Sequence, residues 1–331
     1  MSVLPESRIV LAPLAGGPAT PELEAAVANA GGLSFLGTGY LTPDAVGEHL
    51  DRTRALTDAP FGVNIFALQE RPVDDVAVAA YAEELRPEAQ RRGTQLGEPR
   101  FDDDWFDAKL ALVLDAGAAV VSFTFGCPSD AALDRVRGRG AEVWLTVTSV
   151  GEAQQAVAAG ADALVVQGAE AGGHRGTWDD ADGGDVPLVE LVSAIAAVVD
   201  LPLVAAGGIA DRGGVLTAIE AGAAAAQIGT AFLLCPEAGT SEPHRRAVAA
   251  GGETAITRAF TGRRARGIVN AFMRRHPNAP SAYPQIHHLT APLRAAARAA
   301  GDADGINLWA GTSAGLARAE PAAALVARLR P

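Results

Sequence analysis

Cysteine and lysine are scarce in this chain, and the shortage bears on which classes of function remain. Only Cys127 and Cys235 are present, far apart, so no disulfide framework is expected and a reducing, cytoplasmic setting fits. Of 27 basic side chains only Lys109 is lysine, and 39 acidic ones leave a formal charge of −12. Such a balance argues against nucleic acid, which asks for basic surface. No apolar run approaches the roughly 18 residues of a membrane span, so no membrane contact is expected. Residues 1–9 lack the charged and apolar regions of a secretory signal. No G-x-G-x-x-G follows the first apolar run, which leaves a dinucleotide site unsupported. Neither H-x-x-x-H nor a cysteine cluster occurs, so no metal is expected.

What is present is a repeated alternation. Eight short apolar runs, at 9–12, 33–36, 61–66, 119–123, 143–147, 163–166, 203–206 and 225–228, are separated by helical patterns. Thr20-Pro21-Glu22 and Thr42-Pro43-Asp44 each offer a cap, a proline for the first helical position and an early acid. Ser149-Val150-Gly151-Glu152 fits a capping box, with the glutamate reaching back to the cap. The strands are continuous apolar runs, as strands buried on both faces require. Eight of them predict an α/β fold, a (β/α)8 TIM-type barrel over residues 1–236, with a doubly wound open sheet as the alternative. Residues 237–304, rich in arginine and alanine, read as a smaller, mainly helical second domain over the barrel mouth. Residues 305–331 read as a C-terminal helix returning to the barrel.

Barrel enzymes place their chemistry at the C-terminal strand ends. The polar and glycine residues there are Asn64, Gln167, Gly207-Gly208 and Gly229-Thr230. The two last sets lie where exposed backbone N–H groups and a hydroxyl hold a phosphate without lysine, although glycines also serve plain tight turns. Asn64 and Gln167 suit the edge of a heterocycle such as an isoalloxazine, or equally a capped loop. A phosphate site with amides around it suggests FMN. His174 follows Gly172-Gly173 behind the sixth strand, and histidine titrates near neutral pH. His49, His244 and His276 read as solvated, and the pair His287-His288 as loop packing. Cys127 reads as a small apolar residue. The run Arg258, Arg263, Arg264, Arg266, Arg274 and Arg275 reads as a solvated helix face or as partners for surplus carboxylates, with a positive field at the mouth as the other option.

Together these stretches resemble the nitronate monooxygenase (2-nitropropane dioxygenase-like) family, in its bacterial class I branch. The resemblance runs nearly end to end: APLAGGP at 12–18, GVNIF at 62–66, VSFTFG at 121–126, QGAEAGGHRG at 167–176, AAGGI at 205–209, QIGT at 227–230, TRAFTG at 257–262 and NLWAG at 307–311. It implies a non-covalent FMN at Asn64, Gln167, Gly172, Gly208 and the Gln227-Ile228-Gly229-Thr230 turn. Gly173, Gly207, Ala12 and Pro13 complete the candidate cofactor set. It makes His174 the catalytic residue, as a base or as the holder of a nitronate anion. The implied reaction is oxidation of alkyl nitronates of the propionate 3-nitronate type by O2 to a carbonyl product with nitrite or nitrate. Thr124, Cys127 and Thr312-Ser313 depart from the family pattern and bear on substrate choice. The implied partners are a small anionic substrate and O2, in a monomer or homodimer. An NAD(P)H-dependent FMN reductase of enoyl thioesters or quinones would use the same cradle, as would a non-catalytic flavin-binding module.

Overall fold

The computed structural model describes residues 3–180 and 185–331; residues 1–2 and the 181–184 part of the long glycine-rich loop lie outside it. The first half runs β1 (Ile9–Leu11), α1 (Pro21–Asn29), β2 (Ser34–Gly37), α2 (Pro43–Leu56), β3 (Phe61–Phe66), α3 (Asp75–Arg91), α4 (Phe106–Asp115), β4 (Val120–Thr124), α5 (Asp130–Gly138) and β5 (Glu142–Val147). It continues with α6 (Val150–Ala158), β6 (Ala163–Gln167), β7 (Gly173–His174), α7 (Leu188–Ala196), β8 (Leu203–Ala206), α8 (Arg212–Glu220) and β9 (Ala225–Ile228). Strands β1–β6, β8 and β9 form one parallel sheet in the order β1-β9-β8-β6-β5-β4-β3-β2. Its two edges meet: Leu11 N–H donates to Leu33 O at 2.8 Å and Leu33 N–H to Ile9 O at 3.1 Å. The sheet is therefore a closed (β/α)8 barrel with no exposed edge, not an open one.

Alternate residues of each strand serve two cores. Val10, Phe35, Val120, Trp144, Val165 and Val204 fill the barrel interior, while their neighbours face the helices. The rings of Phe35 and Trp144 lie 5.3 Å apart there. Gly62 makes room for them, since a Cβ at that position would stand 2.3 Å from the Phe35 ring. The threonine caps form as the sequence predicts: Thr20 accepts from Leu23 N–H and Thr42 from Ala45 N–H. Ser149 likewise accepts from Glu152 N–H. The expected return bond from Glu152 goes elsewhere, however. One carboxylate oxygen takes the N–H and hydroxyl of Thr148, and the other takes Thr177 Oγ1 and Trp178 N–H. That glutamate ties the long loop after β6 to the barrel, a contact 25 residues away that local spacing cannot reveal.

After β9 a short 3₁₀ turn (Thr230–Leu234) leads to α9 (Glu242–Ala250), β10 (Thr254–Thr257), β11 (Ala265–Ile268), α10 (Ala271–Arg275) and α11 (Gln285–Ala299). Residues 237–304 are mainly helical, as expected, but they also contain two strands that the sequence reading did not include. β10 and β11 form a hairpin, and β7 joins its edge, making a three-stranded antiparallel sheet over the barrel mouth. Arginines at 258, 263, 264 and 266 hid that hairpin, because they break any apolar alternation. α3, from the barrel half of the chain, packs into the same cluster through Val78, Tyr81 and Leu85 against Phe260, Ile286 and Leu289. Residues 307–311 cross the mouth without helix, and beyond a short 3₁₀ turn at Ala314–Leu316 only α12 (Ala322–Leu329) is helical. The predicted helix over 305–331 is thus shorter. α12 packs between α1 and α8 and takes the eighth outer place.

Lys109 is fully buried on α4, 2.7 Å from Asp104 and donating to Thr38 O at 2.9 Å. Asp104 in turn accepts Tyr40 N–H at 3.1 Å, so this pair sets the loop after β2. Burial pushes the Asp104 carboxyl up to about 6 despite the cation beside it. Lys109→Met leaves that carboxylate buried without its partner and is expected to cost about 3–5 kcal/mol. Adding Asp104→Asn should restore most of the loss, as read from urea unfolding midpoints.

Candidate active site

A cavity of about 500 Å³ opens at the C-terminal ends of the barrel strands, beneath the three-stranded sheet and α11. It gathers Ala12 and Pro13 after β1, Asn64 on β3, Gln167 on β6, Gly207 and Gly208 after β8, and Gln227, Gly229 and Thr230 at the end of β9. Gly172, Gly173 and His174 come in from the loop after β6. One expected residue is elsewhere: the Ile228 side chain is buried in the barrel–helix core, and its carbonyl accepts Ala12 N–H. On a strand, neighbours of an inward-facing glutamine point outward.

Hydrogen bonding distinguishes the amides. Gln167 uses both ends within the protein: Nε2 donates to His174 O at 3.0 Å, and Oε1 accepts from Arg175 Nη1 at 3.0 Å and Gly176 N–H at 2.8 Å. It shapes the loop, as its plainer reading held. Asn64 Nδ2 donates to Ser122 Oγ at 2.9 Å and Thr124 Oγ1 at 3.0 Å, and Thr124 Oγ1 lies 3.2 Å from Thr146 Oγ1. Gln227 is only 8 % exposed, faces the cavity, and its side chain makes no hydrogen bond among the described residues. Asn307 Oδ1, also on the wall, is buried without a partner. The N–H groups of Gly208 and Gly229 are likewise unused among the described residues. Buried polar groups in a finished interior are normally paired, so the Gln227 amide and Asn307 Oδ1 mark room for a polar ligand, and the more open N–H groups of Gly208 and Gly229 lie on the same wall.

The glycines matter through close approach. A Cβ on Gly172 would stand 2.4 Å from Gly311 N, so the loop after β6 packs backbone to backbone on residues 310–312. Thr312 N–H donates to Glu170 O at 3.0 Å and Gly311 N–H to Thr230 Oγ1 at 2.9 Å across that contact. Gly207 and Gly208 hold φ of 126° and 69°, a region that favours glycine.

His174 is walled in by Phe125, Tyr283 and Trp309, with ring centroids 5.5 to 5.8 Å away. Its Nε2 lies 2.9 Å from Thr261 Oγ1. Burial, and then the charges of Arg263 and Arg294, pull its pKa from 6.5 down to about 3, so the ring is neutral. His287, read as loop packing, instead faces the cavity from α11 and stacks on Tyr40 at 4.1 Å. Tyr283 Oη donates to Tyr40 Oη at 3.2 Å. The solvated readings of the other histidines also fail: His244 and His276 are buried, and His49 bonds Glu24 at 3.0 Å.

The arginine run is not a helix face. Arg263 is buried, lies 4.0 Å over the Phe125 ring and donates to the carbonyls of Arg175 and Thr177. Arg258, Arg264 and Arg275 pair with Asp180, Asp185 and Glu88, which bears out the pairing option. Cys127 packs partly buried against the barrel–helix core, away from the cavity, with its thiol pKa raised by burial. Residues that sequence reasoning missed on the wall include Tyr40, Thr146, His244, Arg294 and Trp309. Trp309 sat inside a quoted motif; the others carry no local signal, since they arrive on separate elements. No group of acids, histidines or cysteines able to hold a metal occurs among the described residues. None of their helices is long and apolar enough to cross a membrane.

His174, His244 and His287 are held at about 3, about 4 and about 2, each through burial first. An unfolded histidine takes its proton near 6.5, so between that pH and about 4 the unfolded chain binds more protons than the folded one. Stability therefore rises with pH across this window and is lost on acidification. Each ring adds a slope of up to about 1.4 kcal/mol per pH unit. Urea midpoints from pH 7 to 4.5 should fall steeply, and less steeply in His287→Asn.

Comparison with known proteins agrees with this geometry. The family profile described as "Nitronate monooxygenase" matches residues 2–331. A nitronate monooxygenase of Paraburkholderia phytofirmans is 40% identical over 97% of this chain and 90% of its own length. A probable nitronate monooxygenase of Staphylococcus aureus is 36% identical over 98% and 93%. Among solved structures, a nitroalkane oxidase from Streptomyces ansochromogenes superposes with a TM-score of 0.95 at 47% identity, covering 99% of this chain and 96% of its own. FabK from Thermotoga maritima follows with a TM-score of 0.77 at 27% identity, over 99% and 93%.

Proposed function

The chain belongs to the nitronate monooxygenase family and is an oxidoreductase of that type, and from this premise we propose that it oxidises alkyl nitronates with O2 on a bound FMN, giving a carbonyl product with nitrite or nitrate. The observation that carries the reading is a half-buried His174 at the wall of a cavity where the Gln227 amide and Asn307 Oδ1 have no partner among the described residues. The residues fit FMN. Unused N–H groups of Gly208 and Gly229 suit a phosphate, and the free amide of Gln227 with Asn307 Oδ1 suits the edge of a planar ring. FMN held there would supply the redox chemistry between nitronate and O2.

The protein's own groups do the rest. When the Thr261 hydroxyl donates to Arg263 O, a contact of 3.3 Å, it accepts from His174 Nε2–H. Nδ1 then keeps its lone pair for the proton α to a nitro group, should the neutral nitroalkane enter. An anionic nitronate beside the ring favours the imidazolium instead, so the same residue holds the anion once substrate is present. The aromatic walls keep water from both forms.

Purified protein should be yellow, bleach anaerobically with propionate 3-nitronate, and stay oxidised with NADH or NADPH. Rapid reduction by the nicotinamides alone would identify the reductase alternative, and reduction by neither would leave a binding module. His174→Asn should lower kcat at least 100-fold while keeping the flavin spectrum; full turnover in that variant would sink the role given to the residue.

A further inference from the structure

We propose that Asp104 and Lys109 are positioning residues of the candidate active site: they hold Tyr40 in a left-handed backbone conformation and, through its hydroxyl and Tyr283, fix the aromatic wall beside His174. The kinetic consequence rests on the reading of His174 as the working residue, whereas the hold itself does not.

Five non-glycine residues have positive φ among the described ones, and four of them are linked by contact. Asp104 (57°) and Trp105 (53°) open α4, and Asp104 accepts Tyr40 N–H. Tyr40 (71°) meets the Phe66 ring at 5.7 Å, and Phe66 meets Phe125 (81°) at 4.6 Å. A bulky residue keeps this conformation only where its surroundings impose it, and such residues gather at working sites. Here a buried pair imposes it. Lys109 Nζ donates to Thr38 O at 2.9 Å, Asp104 takes Tyr40 N–H at 3.1 Å, and the two charges face each other at 2.7 Å. Between the two gripped residues, a Cβ on Gly39 would stand 2.4 Å from the Phe66 ring, so the turn is pressed against β3.

A pair that served only to pack α4 would need no charge, since apolar residues of like volume fill such a site as well. Apolar residues cannot bond Thr38 O and Tyr40 N–H, and both ends of this pair bond to that turn. The segment before Asp104 is tied to the covering layer too. Gly97 N–H donates to Leu289 O at 2.9 Å, and Asp102 lies 2.7 Å from His288 Nε2.

What the turn presents is the Tyr40 ring. It stacks on His287 at 4.1 Å with 5° between the planes, and its oxygen accepts from Tyr283 Oη at 3.2 Å. The Tyr283 ring in turn lies 5.6 Å from His174 and 5.7 Å from Phe125. Tyr40 comes from the barrel, and Tyr283 and His287 from the cover, so the wall of His174 is set where the two layers meet. Without an acceptor at residue 104, Tyr40 relaxes out of the left-handed region and its oxygen leaves Tyr283.

The test compares two neutral pairs in the purified holoenzyme, Lys109→Met with Asp104→Asn and Lys109→Met with Asp104→Leu, together with Tyr40→Phe. Asparagine keeps an acceptor for Tyr40 N–H, and leucine does not. The first readout is the imidazole proton signal of His174, taken by NMR on histidine-labelled protein and assigned by its loss in His174→Asn. It should stay in place with asparagine and shift with leucine and in Tyr40→Phe. The second readout is turnover of propionate 3-nitronate. With leucine kcat should fall at least tenfold at unchanged KM, and with asparagine it should stay within about threefold of wild type. Adding Tyr40→Phe to the leucine pair should cost little more, because both changes break one chain of contacts. A His174 signal that leucine leaves in place overturns the proposal. So does a signal displaced equally by asparagine and leucine, or losses in kcat that multiply. If the leucine pair does not fold, Tyr40→Phe decides: a shifted His174 signal supports the proposal and an unchanged one overturns it. Protein that oxidises no nitronate removes the functional reading alone, and the His174 signal still decides the positioning role.

Discussion

The mouth of this barrel depends on one backbone pairing: Gly173 and His174 leave the barrel and join β11 at Arg266 and Ala265. The next residue extends it, Arg175 N–H donating to Arg264 O at 2.8 Å. Two residues of strand are little by themselves, but they make the barrel loop part of the overlying sheet. The position of His174 is thereby set from both sides. Gly172 is the condition for it, because only a residue without Cβ lets residues 310–312 lie against the loop. Arg175, Gln167 and Glu152 then fasten the same loop to β6 and α6 with part-buried bonds, those of Arg175 and Glu152 charge-assisted.

Enclosure sets the electrostatics. Once the sheet and α11 cover the strand ends, histidines at the wall lose the water that would stabilise their charge. They become neutral groups in a field made by arginines. The chain as a whole is acidic, yet its cavity is the reverse, because the carboxylates sit outside it, paired with arginines of the covering sheet and helices. A net charge read from composition describes the surface; the sign of a buried site depends on a few residues that a total does not locate.

Much of the barrel was legible because its determinants are local. Apolar runs buried on both faces, proline behind a threonine cap and glycine at turns act within a few residues of themselves. The strand-end residues followed from the same logic, since a parallel barrel brings all its C-terminal ends to one face. The hairpin β10–β11 was not legible, because the arginines in and beside it find partners 78 to 97 residues away in the loop after β6. His49, His244 and His276 were misjudged for a related reason: a histidine in a polar stretch looks solvated until another element is laid over it.

By itself the sequence determined the eight-fold alternation, the glycine-rich loop that carries His174 and, through the motifs along its length, the family. Those are properties of short segments, where steric preference and burial period act directly. The tertiary structure alone decided that Gln167 braces the loop while the Gln227 side chain has no partner among the described residues, that α12 fills the eighth helical place, and that Arg294 faces the cavity with no counter-ion among them. Each depends on which distant groups take up a hydrogen bond or a charge, and that is settled only when the chain closes on itself.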